Sequence, residues 1–218
     1  CAAGKGTFGT DELVSKIQTT GLSDVVSHRK LILPQLGAPG VNSNEVERQS
    51  GFKVEYGPVR ATDLPEYLKT GKATPEMRRV KYTLKDRLIL IPVELTAAAP
   101  VLVVAVIALY LLGGALPASA AAVAILAGTI LFPAILPWLP TKDFSSKGFI
   151  LGAVLALPYA AAAFLSSPDT TLWLRIVVGA AYLFLIAPTT AYYTLNFTGS
   201  TTFTSRTGVK KEIFRYIP

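Results

Sequence analysis

TAAAPVLVVAVIALYLLGGAL, residues 96–116, contains no charged side chain and decides the fold of this 218-residue chain. An α-helix needs about 20 apolar residues to cross the hydrocarbon core of a bilayer, and this stretch supplies them. Further apolar runs predict three more crossings, over residues 117–139, 148–166 and 172–197. The chain is 51% hydrophobic, which is too apolar for an ordinary soluble domain of this length. The sequence therefore predicts a membrane domain with four spanning helices.

Charge divides the chain into two chemically different parts. Residues 1–87 contain 14 of the 21 Lys and Arg residues and 10 of the 14 Asp and Glu residues. We therefore predict a soluble α/β domain over residues 1–87, an all-α, multi-pass transmembrane domain over 88–197 and a tail over 198–218. The basic residues of the first part show neither the clustering nor the interleaved aromatic residues of a nucleic-acid surface, so we expect no nucleic-acid partner.

The positions of Lys and Arg around the apolar runs predict an orientation in the membrane. Cytoplasmic loops are enriched in these residues, and the loops at 113–119 and 166–171 contain none. We expect the soluble domain and the tail to face the cytoplasm from the inner membrane. The basic residues that support this orientation are Arg78, Arg79, Lys81, Lys85 and Arg87 before the first helix, Lys142 and Lys147 between the second and third, and Arg206, Lys210, Lys211 and Arg215 after the fourth.

Two polar features of the apolar half have alternative interpretations. LILIPVEL, residues 88–95, could belong to a fifth crossing, but Pro92 and Glu94 make it a poor lipid-exposed span, and we predict an interfacial segment. Arg175 could mark a substrate path in a transporter, although near a helix end such a residue more often reaches the headgroups. The helices contain few other polar residues, which favours an anchor or docking platform over a permeation path.

Residues 1–87 contain signals for a few helices and strands. The order helix, strand, strand, helix is typical of the later part of an α/β domain of Rossmann type. We expect the beginning of this domain to precede Cys1, because so few strands make a thin core. The predicted elements are a helix over 10–20 with Thr10 as N-cap and Gly21 as stop, a strand over 30–33, a loop over 34–42, a strand over 51–59 and a helix over 63–71.

The segment CAAGKGTFGT, residues 1–10, is unusually rich in small residues. Small residues let the backbone approach a large flat ligand, and Cys1 would present its sulfur from a short helical turn. A phosphate-binding loop requires Gly-Lys followed by Ser or Thr, whereas Gly6 follows Lys5. A lone Cys is more often a small buried hydrophobic residue than a ligand or nucleophile. His28 has no second His or Cys nearby at zinc-ligand spacing, so it indicates no metal site.

CAAGKGTFGTDEL, residues 1–13, resembles the signature of the HgcA family of mercury-methylating corrinoid proteins. That family also has a corrinoid-binding domain, a multi-helix membrane domain and a tail similar to NFTGSTTFTSRTGVKKE, residues 196–212, so the resemblance covers most of the chain. It is usually described with five spans, whereas the charges here indicate four.

The resemblance implies that Cys1 is the catalytic residue and the lower axial ligand of cobalt in a cobalamin-type corrinoid bound base-off. Residues 1–5 would form a cap helix, and the backbone of Ala2–Phe8 would cradle the corrin. The cofactor-binding residues implied in this way are Cys1, Ala2, Ala3, Gly4, Lys5, Gly6, Thr7 and Phe8, to which we add Gln35, Leu36, Gly37 and Ala38 only because their loop follows a strand.

The activity that the resemblance implies is corrinoid-dependent methyl transfer to mercuric ion, which forms methylmercury. A thiolate is a soft, strongly donating ligand that would make the methyl group on cobalt more nucleophilic, and mercuric ion is a soft electrophile. The implied partners are a ferredoxin-like iron-sulfur protein as reductant and a methyl donor from folate-linked one-carbon metabolism. Two alternatives stay open: a membrane-tethered corrinoid methyl carrier of the acetyl-CoA pathway type, and a transporter or membrane-docking protein.

Overall fold

The computed structural model describes residues 8–166, 168–198, 201 and 206–216, without the side chains of residues 206 and 207. The chain divides into two compact units, residues 1–81 with 201–208 and residues 82–200 with 209–218. The described residues are mostly helical and contain one small parallel sheet of two strands. Four helices are long and apolar enough to cross a membrane, which confirms the predicted all-α part of the fold with its four long apolar helices.

The first unit is built around a strand, a helix and a second strand. β1 (Lys30–Leu33) pairs in parallel with β2 (Lys53–Tyr56). Parallel strands need a crossover connection, and α3 (Ser43–Ser50) supplies it. The other elements of this unit are α1 (Thr10–Thr19), α2 (Leu22–Val25), α4 (Leu64–Thr70) and the 3₁₀ turns Gln35–Gly37 and Ala61–Asp63.

The predicted order helix, strand, strand, helix is wrong because α3 lies between the two strands. Residues 43–50 contain a single core residue, Val46, and so show little helical periodicity. Their signal lies at the helix start, where the side chain of Asn42 accepts hydrogen bonds from two N–H groups of the first turn. β1 has the predicted bounds, α1 and α4 are shorter by one residue at one or both ends, and the strand predicted over 51–59 shrinks to Lys53–Tyr56.

The core of the first unit contains residues from the sheet, α1 and α3. Phe52 and Val46 are fully buried in it. The guanidinium of Arg29 lies 5.2 Å from the centroid of the Phe52 ring, an arrangement that is favourable for a cation. The buried members of this core are Val14, Ile17, Leu33, Val41, Val46, Phe52 and Val54.

The first candidate span begins earlier in the chain than predicted. Thr83 and Asp86 form a capping box that starts the helical stretch, and Pro92 lies in a first helical turn, where its missing N–H is not needed. Residues 88–95 are therefore mostly helical and belong to the first candidate span. The four candidate spans are Leu84–Gly113, Ala115–Trp138, Phe144–Leu165 and Leu172–Phe197, of which the fourth has the predicted bounds.

Turns divide two of these stretches into shorter helices. The first consists of α5 (Leu84–Leu88) and α6 (Ile91–Gly113). The second consists of α7 (Ala115–Leu126), a π-helical turn (Ala127–Leu131), α8 (Phe132–Ile135) and a 3₁₀ turn (Leu136–Trp138). The third and fourth are α9 (Phe144–Leu165) and α10 (Leu172–Phe197).

Arg87 and Lys147 bind the carboxyl end of the second span. Pro137 has no N–H, so the carbonyl oxygen of Pro133 lacks its usual helical partner. Arg87 is only 6% exposed and donates through Nη1 to the carbonyl oxygens of Pro133 at 2.9 Å and Ala134 at 2.8 Å. The Lys147 ammonium donates to another carbonyl of the same helix end at 3.1 Å. The helix dipole favours positive charge at this position.

Small residues let α9 and α10 approach each other closely. Gly148 and Gly152 are four residues apart on α9, and a Cβ atom at Gly148 would lie 2.0 Å from Thr194 Oγ1. A Cβ atom at Gly152 would lie 2.8 Å from the Cα atom of Ala187. Thr194 also donates to a carbonyl of α9 at 3.1 Å, and Thr190 to a carbonyl of α7 at 3.0 Å. Close backbone approach and interhelical hydrogen bonds both stabilise helix pairs in membranes.

The predicted tail contains a helix, α11 (Arg206–Tyr216), whose last residues contact α9. The carboxylate of Glu212 is buried and accepts a hydrogen bond from the backbone N–H of Ser145 at 2.6 Å. The hydroxyl of Tyr216 donates to Asp143 at 2.9 Å, and this hydrogen bond is the largest cause that raises the pKa of Tyr216. A carboxylate at a helix N-terminus pairs with N–H groups that have no helical partner and is favoured by the dipole.

We predict that Gly152→Leu destabilises the second unit, because the new side chain must force α9 away from the backbone of α10. The free energy of unfolding should fall by about 1–3 kcal/mol, the usual cost of overpacking. Thermal unfolding in detergent micelles measures it, with Ala161→Leu as the matched control at an exposed position of the same helix. Equal stability of the two variants would contradict close packing at Gly152.

Candidate functional site

The carboxyl edge of the two-stranded sheet gathers several predicted site residues. In parallel sheets, ligands bind beyond the carboxyl ends of the strands, where the connecting loops meet. β1 ends at Leu33, whose carbonyl accepts a hydrogen bond from the N–H of Gly57 at 2.8 Å, just after β2. The N–H of Gln35 donates to the carbonyl of Pro58 at 3.4 Å. The loops that follow the two strands are therefore tied together at this edge.

Phe8 lies against Gly37 at the same edge. Gly37 is buried, and a Cβ atom placed on it would lie 2.7 Å from Cε1 of Phe8, so only a glycine leaves room for the ring. Phe8 has a φ angle of 50°, which non-glycine residues rarely adopt, and its N–H donates to the carboxylate of Glu12. The structure thus brings Phe8, the last residue of the predicted cofactor-binding run at 1–8, against the predicted loop segment at Gln35–Ala38.

Thr10 fastens the start of α1 to the loop before α3. We predicted Thr10 as the N-cap of α1, and this is wrong, because Gly9 occupies that position and Thr10 is the first helical residue. The hydroxyl of Thr10 instead accepts a hydrogen bond from the backbone N–H of Asn42 at 2.9 Å. Asn42 is also the N-cap of α3, so the hydrogen bond between Thr10 and Asn42 connects the N-terminus of α1 to that of α3. The sequence analysis did not predict Asn42 as an N-cap, although the spacing of Asn42 and Glu45 is typical of a helix start.

Gln35 carries an unsatisfied polar atom at this site. Among the described residues, its side-chain oxygen Oε1 is buried and has no hydrogen-bond partner. A buried acceptor without a partner costs about 1–3 kcal/mol relative to one that is paired. Leu36 and Ala38, its neighbours in the predicted segment, are half-buried. The turn therefore contains a buried acceptor that no donor satisfies among the described residues.

Glu55 is held in place by two side chains. Lys30 forms an ion pair with its carboxylate, and the hydroxyl of the buried Tyr67 donates to it. The hydrogen bond from Lys30 is the largest cause that lowers the pKa of Glu55, and the bond to Glu55 raises the pKa of Tyr67. This carboxylate ties α4 to the sheet, and its lowered pKa makes it a weaker base, which argues against a role as a general base.

The predicted residues Cys1, Ala2, Ala3, Gly4, Lys5, Gly6 and Thr7 lie outside the described residues. Within the described part of the chain, no group of three or more His, Cys, Asp and Glu side chains could hold a metal ion. His28 lies exposed in a loop. The described part of the candidate site is therefore Phe8 with the Gln35–Ala38 turn.

Arg175 has a structural partner in the second unit. Its Nε donates to the carbonyl oxygen of Phe164 at 2.8 Å, near the carboxyl end of α9. Its guanidinium carbon also lies 4.2 Å from the centroid of the Phe164 ring. Arg175 therefore stabilises a helix end, which weakens the case for it as part of a substrate path.

Comparison of the chain with protein-family models, with curated proteins and with the solved structures finds no match.

We predict that Gly37→Ala displaces the ring of Phe8, because the added methyl group would overlap it. Hydrogen exchange at the amides of Phe8 and the first turn of α1 should become faster. Phe8→Ala removes the ring and therefore the overlap. Gly37→Ala should therefore increase the exchange rate less in the Phe8→Ala background than in the wild-type background. Equal effects of Gly37→Ala with and without the Phe8 ring would contradict the contact.

Proposed function

We propose that this protein is a membrane-bound, corrinoid-dependent methyltransferase that forms methylmercury from mercuric ion. The observation that carries the proposal is the contact of Phe8 with Gly37 at the carboxyl edge of the sheet. This contact joins the segment that resembles the mercury-methylating corrinoid proteins to the turn at 35–38, at the position where α/β domains bind their ligands.

Two features of the described residues support the proposal that this edge forms one rim of a corrinoid site. The buried Gln35 Oε1 lacks a partner, and the amide groups at the periphery of a corrin ring are donors that would satisfy it. Phe8 is 37% exposed, which leaves part of an aromatic ring free for contact with a large flat ligand. A corrin ring itself supplies four nitrogen ligands to cobalt, so the protein needs to add a single axial ligand and no cluster of metal-binding side chains.

Cys1 is the residue that would hold cobalt, and the small-residue backbone of Ala2–Thr7 would bind the corrin. A thiolate donates electron density strongly to a soft metal. Phe8 and Thr10 anchor the end of this segment to the loop between β1 and α3, because Phe8 contacts Gly37 and Thr10 binds the N–H of Asn42. When bound, the corrinoid supplies a methyl group carried on cobalt, which mercuric ion accepts.

The proposal requires an electron source and a methyl source. Repeated methyl transfer to mercuric ion would require an external reductant for the corrinoid as well as an external methyl donor. A ferredoxin-like iron-sulfur protein fits this need, and folate-linked one-carbon metabolism fits the methyl donor. Both belong to the proposal by way of the family resemblance.

The second unit is proposed to anchor the site in the inner membrane, with the soluble unit in the cytoplasm. The buried polar side chains described in its helices include Arg87, Thr190 and Thr194, and each of them pairs with a backbone carbonyl. This use of polar groups supports an anchor over a transporter. The basic residues near the ends of the first and second spans support the proposed orientation.

The test is methylmercury formation by the full-length protein, supplied with corrinoid, a low-potential reductant, a methyl donor and mercuric ion. We predict that Cys1→Ala abolishes the product and alters the cobalt absorption spectrum, because the axial sulfur is lost. Arg175→Gln, whose partner is a carbonyl in the second unit, is the control and should keep most of the activity.

Each failure has a distinct meaning. Methylmercury formation by Cys1→Ala would exclude the axial role of Cys1. Bound corrinoid without methylmercury would favour the methyl-carrier alternative, and absence of bound cobalt from the purified full-length protein would favour a transporter or docking protein.

A further inference from the structure

The C-terminal part of α11 is held at the point where the third candidate span begins. The buried carboxylate of Glu212 accepts a hydrogen bond from the backbone N–H of Ser145 at 2.6 Å. The carboxylate of Asp143 accepts hydrogen bonds from the hydroxyl of Tyr216 at 2.9 Å and from Nη1 of Arg215 at 3.3 Å. These contacts fix the last residues of α11 beside the first turn of α9.

The length of α9 sets the depth at which these contacts lie. α9 has 22 residues and is a candidate span, so it is about 33 Å long, close to the roughly 30 Å thickness of the hydrocarbon core. The first turn of such a helix lies near the boundary between the acyl chains and the headgroups. Tyr216 also lines the same surface groove as Phe149, an exposed residue of the second turn of α9. The end of α11 therefore lies at the level of the headgroups.

The side of α11 opposite its contact with α9 combines positive charge with an apolar ring. Lys210 and Phe214 are each two residues from the buried Glu212, which places them on the opposite side of the helix. Both are exposed, as is Lys211, and 72% of Phe214 is accessible. Nζ of Lys210 lies 5.7 Å from the centroid of the Phe214 ring, so the ammonium and the ring share one surface. Lysines beside an aromatic residue are typical of a helix that lies in a membrane interface.

The acidic residues near this surface do not cancel its charge. Arg215 compensates Asp143 locally, because the two form an ion pair at 3.3 Å. Glu212 is buried on the side toward α9, where its carboxylate binds a helix N-terminus. Lys142, which precedes α9, is exposed and adds a third cation to the two lysines of α11. The accessible charge at this end of the unit therefore favours an anionic partner.

We propose that α11 binds the headgroups of anionic phospholipids through Lys210 and Lys211, with the ring of Phe214 inserted among the outer parts of the acyl chains. A lysine close to an anionic membrane surface strengthens binding about fivefold. The inference rests on the proposal that the second unit spans a membrane. It is independent of the corrinoid, because every residue that forms the surface belongs to the second unit.

Hydrogen exchange of the full-length protein in lipid nanodiscs tests the proposal. The amides of α11 should exchange severalfold more slowly in discs that contain phosphatidylglycerol than in discs of phosphatidylcholine alone. Salt at about 1 M should reduce this difference, because it screens charges at the membrane surface. Lys210→Gln combined with Lys211→Gln should remove most of the difference. Lys69→Gln combined with Lys72→Gln, which removes two exposed lysines of the first unit, should keep it.

Two results would overturn the proposal. Equal exchange of α11 in the two kinds of disc would exclude the anionic headgroups and favour an acidic protein as the partner of the lysines. A difference that survives in the Lys210→Gln, Lys211→Gln variant would exclude these two side chains. The amide of Ser145 reports in each sample whether α11 is still docked through Glu212. Failure of the protein to enter the discs at all would contradict the proposed membrane domain, whereas equal exchange in loaded discs contradicts only the role of α11.

Discussion

Backbone N–H and C=O groups inside the hydrocarbon core have no water to bind, so the protein must pair them itself, and the second unit is organised around this constraint. Within the helices, backbone N–H and C=O groups form hydrogen bonds with each other. At helix ends and kinks, side chains form hydrogen bonds with several backbone groups that have no helical partner. Arg87 pairs with the carbonyl that Pro137 leaves without a partner, and Lys147 supports the same helix end. Glu212 pairs with an N–H of the first turn of α9.

This constraint separates structural polar residues from candidates for function. Arg175, Arg87 and Glu212 are the kind of membrane residue that suggests a substrate path, yet each binds a backbone group at a helix end. The hydroxyl of Ser145 differs from them, because it is buried and has no hydrogen-bond partner among the described residues. In the first unit, Gln35 Oε1 has the same property at the carboxyl edge of the sheet.

The sequence predicts the parts of this fold that depend on composition and local signals. Long uncharged runs locate the four candidate spans, and Gly71 correctly ends α4 with its left-handed backbone. The helix α3 was missed because its capping residue, Asn42, carries more of the signal than its single buried side chain. The start of the first span was predicted too late in the chain, because Pro92 was taken to interrupt a helix. Proline is tolerated in a first helical turn, where Pro92 lies.

The candidate site depends on contacts between residues far apart in the chain, and these are harder to predict. The loop at 35–38 was chosen from its position after a strand, and that position does bring Gly37 to Phe8. The bond between Thr10 and Asn42 joins residues 32 positions apart, and neither residue alone predicts it. Side-chain pairing of this kind follows from tertiary structure, whereas helix ends and apolar runs are encoded locally.

The most direct measurement of the central claim is X-ray absorption at the cobalt edge of the full-length protein reconstituted with corrinoid. The account predicts one sulfur neighbour of cobalt in the wild-type protein, supplied by Cys1, and its loss in Cys1→Ser. A cobalt surrounded only by nitrogen and oxygen atoms in the wild-type protein, or an unchanged sulfur signal in the variant, would contradict it.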